Sequence, residues 1–360
     1  MSAFPVHYSK PLPDEFQTIL LERGITLPNG YPVRNVEDVP EKLDLSGCTT
    51  LVDISVLGQC NQLRSLNLNW CRKIVDISAL SKCTQLQELD LRSTDVVDVS
   101  ALGQCSQLQK LVLSHTDVTD ISALGQCSQL QTLNLHWCRK IVDISALSEC
   151  SQLQTLYLSG CTRVVDVSAL GQCSHLQLLS LESTGVVDIS VLGRCTQLQR
   201  LYLGRCERVV DISALEQCTQ LQDLRLNCTN IVDISVLEKC KSLKSLDLTG
   251  CVGVVDISVL KHCTQLQKLF LGYCKDITDI SALGKCTQLQ TLEFGFCKGI
   301  TDISVLGKCT QLQELDLTAC AGVVDISALK RCTQLQELDL NNCTRITDFS
   351  ALAELPFLSS

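Results

Sequence analysis

LRSLNLNWCRKIVDISALSKC, residues 63–83, decides the architecture of this chain. Its fixed points are Leu63, Leu66, Leu68, Cys71, Ile74, Asp76, Ser78, Leu80 and Cys83. The same frame returns after 22 or 23 residues, with copies opening at Leu86, Leu108, Leu130, Leu153, Leu176, Leu198, Leu221, Leu243, Leu266, Leu289, Leu312 and Leu335. With an imperfect first copy at Pro40, the chain carries fourteen units. A period of this length predicts a solenoid, in which each unit is stable only against its neighbours. Its expected extent is residues 40–352, with a terminal cap at 1–39 and a minimal one at 353–360.

Within each unit, L-x-x-L-x-L alternates as a short strand, leucines inward and the intervening side chains outward. Stacked strands predict a parallel sheet. The return leg V-V-D-I-S-A-L is too short for a long helix and suits a 3₁₀ or single-turn segment. All fourteen copies keep its Asp, from Asp53 to Asp348. A row of carboxylates can be read as a calcium array or as one turn-capping residue per coil. Capping is favoured, because Asp with Ser two residues on can accept backbone N–H groups. The apolar neighbours also offer no further oxygen ligands.

Counting the opening leucine as position one, ten of the 24 cysteines sit at position nine and thirteen precede the polar link. Only Cys228 is out of register. Thr94, Thr116, Thr184 and Thr229 replace Cys at position nine, a change no disulfide tolerates. No C-x-x-C occurs, so zinc spacing is missing. Buried, reduced, structural thiols are expected, against disulfides or a metal, and with them a cytoplasmic, reducing location. The first residues, MSAFPVHYSKPLPDEF, lack a signal peptide's apolar run, and no stretch is long enough to cross a membrane. The net charge of −9 argues against a nucleic-acid partner.

The frame, as in TDISALGKCTQLQTL with Asp279, Ser281 and Leu283, resembles the leucine-rich repeat family. It is similar to the short repeats of internalins and of the regulatory subunit of protein phosphatase 1. The ninth-position Cys also resembles the longer repeats of F-box proteins. The resemblance implies an α/β horseshoe, with a parallel sheet on the concave face and short 3₁₀ turns on the convex one. For function it implies protein binding on the concave face.

Residues 13–24, with an acidic start, FQTILLER and Gly24, predict a short amphipathic helix covering the open end of the stack. LPDEF-x-x-IL also resembles the opening helix of an F-box, though no room remains for the other helices. At the other end Leu355 replaces the usual Cys, and Pro356, Phe357 and Leu358 follow.

Function is expected where the frame varies, at positions three, five, seven and eight. There the chain places Trp70, His115, His136, Trp137, Tyr157, Arg200, Tyr202, Arg205, Arg225, Phe270, Tyr273 and Phe296 as candidate partner-binding residues. Exposed aromatics beside arginines are the usual material of a protein-binding hot spot. Arg200, Arg205 and Arg225 fall on coils near Tyr157 and Tyr202, while Glu314, Asp316, Glu337 and Asp339 make an acidic patch. Alternatively, Trp70, Trp137, Tyr273 and Phe296 simply cover the sheet edge. His115 and His136 fall on neighbouring coils, but no nucleophile or carboxylate is fixed beside them, and no Walker A, H-E-x-x-H or G-x-S-x-G motif occurs. The expectation is a non-enzymatic protein-interaction scaffold without cofactor or metal. Alternatives are a recognition or regulatory subunit of a ubiquitin ligase or phosphatase, or a structural component of a large assembly.

Overall fold

The computed structural model describes residues 10–355. His7 and the trio Pro356, Phe357 and Leu358 lie outside them. The chain packs as two compact units, Met1–Val164 and Val165–Ser360.

The first unit holds helix α1 (Asp14–Glu22) and strands β1 (Lys42–Asp44), β2 (Ser65–Asn67), β3 (Glu88–Asp90), β4 (Lys110–Val112), β5 (Thr132–Asn134) and β6 (Thr155–Tyr157). These strands pair in parallel in chain order, leucine opposite leucine, as in Leu43↔Leu66 and Leu133↔Leu156. The second unit holds β7 (Leu178–Ser180), β8 (Arg200–Tyr202), β9 (Asp223–Arg225), β10 (Ser245–Asp247), β11 (Lys268–Phe270), β12 (Thr291–Glu293), β13 (Glu314–Asp316) and β14 (Glu337–Asp339). Its strands pair in the same way, as in Leu201↔Leu224 and Leu292↔Leu315.

Each strand spans positions three to five, so its central leucine points inward and its two flanking residues outward. The leucines at positions one, four and six are buried in nearly every coil, and each contributes about 1.5–3 kcal/mol. Burial weakens at the last strand, where Leu338 and Leu340 are only half-buried. The return leg is a five-residue 3₁₀ turn beginning at the conserved Ser, such as Ser78–Lys82. The aspartates cap it: in the first unit Asp76 Oδ1 accepts the Ser78 N–H at 2.7 Å, and in the second Asp211 Oδ1 accepts that of Ser213 at 2.7 Å.

Cys and Thr at position nine do different work. Cys71 Sγ donates to the Leu45 carbonyl of the preceding coil at 3.0 Å, stitching coil to coil. Thr94 Oγ1 instead donates to Leu91 of its own coil at 2.7 Å. In sequence the four Thr units are the 22-residue ones, and the Cys units carry one more residue before the return leg. That residue closes an extra turn, Ile74 N–H to Cys71 carbonyl, 3.0 Å. The second cysteine row stitches likewise, for example Cys83 Sγ to Leu57 carbonyl at 3.2 Å. Burial pushes the Cys71 and Cys83 thiols up to about 11 and that of Cys105 to about 12, so they stay protonated and able to donate.

Helix α1 ends at Gly24, whose φ of +67° turns the chain so that Ile25 N–H returns to the Leu20 carbonyl. It buries Phe16, Ile19 and Leu20, and Phe16 and Ile19 share a small cavity with Leu51 and Val56 of the first coil. Among the described residues no helix is long and apolar enough to cross a membrane, and no group of His, Cys, Asp or Glu could hold a metal ion.

Candidate interaction surface

Two rows of side chains leave the strands of each unit. The first comes from strand positions three and five. The second comes from position eight, just past the strand, where the backbone is left-handed in every coil. In the first unit that row is Gly47, Trp70, Ser93, His115, Trp137 and Gly160, with φ between 56° and 78°. Hydrogen bonding explains the conformation: the chain turns out of the sheet while the position-eight N–H still reaches the next coil, as in Trp70 N–H to Arg92 carbonyl at 2.9 Å. Among the described residues, eleven of these left-handed positions are not glycine, and a β-carbon there costs about 1 kcal/mol. Within each unit the non-glycine side chains of the row therefore project from the rim in the same direction, at most one per coil.

In the first unit the rim residues meet one another. His115 and Trp137 lie parallel within 7°, with centroids 6.3 Å apart, and His136 meets both edge-on. The guanidinium of Arg139 sits 4.3 Å from the Trp137 ring centre, and that of Arg72 sits 4.9 Å from Trp70. A β-carbon on Gly160 would stand 3.0 Å from Trp137 Cδ2, so the indole rests against the glycine backbone. Burial, and then His115, hold the His136 imidazole below its usual range. Tyr157 lies apart from this group, half-buried at the end of β6 beside Asn134. Trp70 remains 48% exposed and Trp137 39%.

In the second unit Tyr273 and Phe296 stack at 4.7 Å, within 6° of parallel, and both are exposed on the rim. Arg205 is another exposed rim residue, with φ of 60°. On the sheet face, Tyr202 Oη donates to Asp223 Oδ2 at 3.0 Å, while Arg225 lies 4.5 Å over the Tyr202 ring. Burial, then the Asp223 charge, push the Tyr202 phenol to about 12, so it stays a donor. Arg225 and Tyr202 are thus partly engaged with each other, whereas Arg200, beside Asp223 in register, is exposed. Phe270 is half-buried between Asp247 and Glu293. The acidic patch continues from Glu293: Glu314 faces Glu337, and Asp316 faces Asp339.

One surface escaped the sequence reading. The residue before each capping Asp is exposed, and it is valine at Val52, Val75, Val97 and Val142 in the first unit and at Val165, Val187, Val210, Val232, Val255 and Val324 in the second. The signal was present in V-V-D and I-V-D: of two adjacent β-branched residues only one can face the core.

Two family profiles match the chain. The one described as Leucine Rich repeats (2 copies) covers residues 106–149 and 310–354, and the BspA type Leucine rich repeat region (6 copies) covers 224–324. The chain is a leucine-rich-repeat protein. A comparison with curated proteins finds no match. Among solved structures, an internalin (inlF) from Listeria monocytogenes aligns over 99% of this chain and 98% of its own, with 25% identity and a TM-score of 0.73. A leucine-rich-repeat protein of Leptospira interrogans aligns over 90% of this chain and 84% of its own, with 20% identity and a TM-score of 0.75. The functional domain of InlJ from Listeria monocytogenes, which includes a cysteine ladder, aligns over 91% of this chain and 73% of its own (19% identity, TM-score 0.68). Leucine-rich-repeat proteins of the internalin kind are in general protein-interaction modules, and the family and fold are typically non-enzymatic.

Proposed function

We propose that this protein is a non-enzymatic interaction module that holds a protein partner on its exposed sheet face and the adjoining rim. One observation carries the reading. Large aromatic and charged residues are concentrated at positions three, five and eight of an otherwise uniform frame. At position eight, Trp70, Trp137, Tyr273 and Phe296 stay exposed on a left-handed backbone that glycine would adopt without strain. We also assign the protein to a reducing, cytoplasmic setting. The support is chemical: the two cysteine rows serve as S–H donors to carbonyls, a role that oxidation would end.

The test is partner capture by two variants, each confined to one unit. Trp70→Ala/His115→Ala/Trp137→Ala and Tyr202→Ala/Phe270→Ala/Tyr273→Ala/Phe296→Ser should each weaken capture at least tenfold while leaving the circular dichroism spectrum unchanged. Val210→Ser/Val232→Ser should leave capture intact. Full capture by both aromatic variants would reject the reading.

A further inference from the structure

His115, His136 and Trp137 pack as one cluster on the rim of the first unit, and two of its three rings can take a proton. The imidazole centroids are 5.6 Å apart with the planes at 79°, and His136 lies 5.9 Å from the Trp137 ring, again edge-on. The backbone beneath them is pinned. His115 N–H donates to the His136 carbonyl at 2.9 Å, Trp137 N–H to the Ser159 carbonyl at 2.8 Å, and His136 N–H to Asn134 Oδ1 at 2.9 Å. A change of charge is therefore answered by the side chains rather than by the coil.

Carboxylates on the surrounding coils are few and mostly engaged elsewhere. Among the described residues neither imidazole has one within ion-pair distance. On the third coil Asp90 is paired with Arg92 at 3.2 Å, and Asp95 shares an open basin with His115 but also with Arg72 and Arg92. On the fourth, Asp117 is held by Lys140 of the fifth at 2.9 Å. Arg139 already lies against the Trp137 ring, so a second cation there meets like charge. The sixth coil has Tyr157, Ser159 and Gly160 at positions five, seven and eight, and its Arg163 is another cation. A proton on the cluster is opposed by burial and by the second imidazole, the two causes that hold His136 below its usual range. For a histidine depressed in this way, the neutral arrangement is at full strength above the ordinary imidazole value of about 6.5 and weakens as pH falls below it.

We propose that His115 and His136 are a proton latch on this rim: while both are neutral they hold Trp137 in its seat against Gly160, and a proton on the pair frees the indole and weakens partner binding. This rests on the interaction-module reading and adds its regulation. The full chain is followed from pH 8 to pH 5 by the His136 Cε1–H proton and by 5-fluorotryptophan. The chain has two tryptophans, so the fluorine resonances are assigned with Trp70→Phe and Trp137→Phe. His136 should titrate below about 6.5, and the Trp137 resonance should move with the same midpoint while far-ultraviolet circular dichroism stays constant. The Trp70 resonance should move much less. His115→Gln should raise the His136 midpoint, because the neighbouring charge is gone, whereas a purely packing role for His115 would leave it in place. His115→Gln/His136→Gln should hold the Trp137 resonance still. Partner capture by the native chain should weaken about threefold or more between pH 7.5 and pH 5.5, and the double variant should lose that dependence. A Trp137 resonance that ignores the His136 titration, an unmoved midpoint in His115→Gln, or a Trp137 step that survives in the double variant would each overturn the latch. Capture indifferent to pH beside a titrating Trp137 would overturn the regulation and leave the module standing. Full capture by both aromatic variants would remove the module, and with it the regulation, while the titration of Trp137, read without any partner, would be unaffected.

Discussion

Gly160→Ala tests the rim geometry at its tightest point. Glycine there has φ of +78°, and an added β-carbon would lie 3.0 Å from Trp137 Cδ2, 3.1 Å from Cγ and 3.2 Å from Cε2. Left-handed backbone costs a non-glycine residue about 1 kcal/mol. Displacing the indole adds the loss of its stack on His115 and its contact with Arg139, together about 1 kcal/mol. The expected destabilisation is therefore about 2 kcal/mol. It should be read as the shift in urea unfolding followed by far-ultraviolet circular dichroism. A double-mutant cycle separates the two parts. In a Trp137→Ala background the same glycine change should cost only about 1 kcal/mol, because no ring remains to be moved. Gly250→Ala is the control, since its nearest neighbour is the Cys228 Sγ at 3.2 Å rather than a ring. Equal costs with and without the indole would refute the claim that Trp137 is seated on Gly160.

Two further outcomes follow from the cysteines and carboxylates. Cys228 is the one exposed cysteine and the others are buried, so Ellman's reagent should titrate one thiol in the native chain and all 24 after denaturation. Reaction of several native thiols would contradict the buried donor rows. Burial, then Asp316, Asp247 and Glu314, raise the Glu293 carboxyl above its usual range. Its native pKa then exceeds the unfolded value of about 4.3, so the stabilising contribution is full below that value and lost as pH rises through the native pKa. Glu293→Gln should accordingly raise the urea midpoint at pH 7, with the gain vanishing toward pH 4. A gain that persists in acid would exclude charge repulsion as its cause.

The frame was legible because the repeat makes each position speak fourteen times. Leucine spacing placed the strands, and the Asp–Ser pair placed the 3₁₀ turns. The contact between Tyr202 and Arg225 was also within reach, since both are position-five residues of adjacent coils and fall opposite each other in register. The left-handed rim was not. Trp70, His115 and Phe296 are poor residues for that conformation, and their backbone is dictated by the hydrogen bond to the next coil rather than by any local signal. Nor did Cys and Thr at position nine reveal their separate acceptors, because only the extra residue of the longer units, seen in three dimensions, distinguishes them.

The central claim, that the sheet face and rim form the partner-binding surface, is tested most directly by hydroxyl-radical footprinting of the native complex against the free chain. The account predicts protection of Trp70, Trp137, Tyr273 and Phe296, with Val75, Val210 and Val232 labelled as in the free protein. Protection of the valine row with the aromatics fully labelled would contradict it.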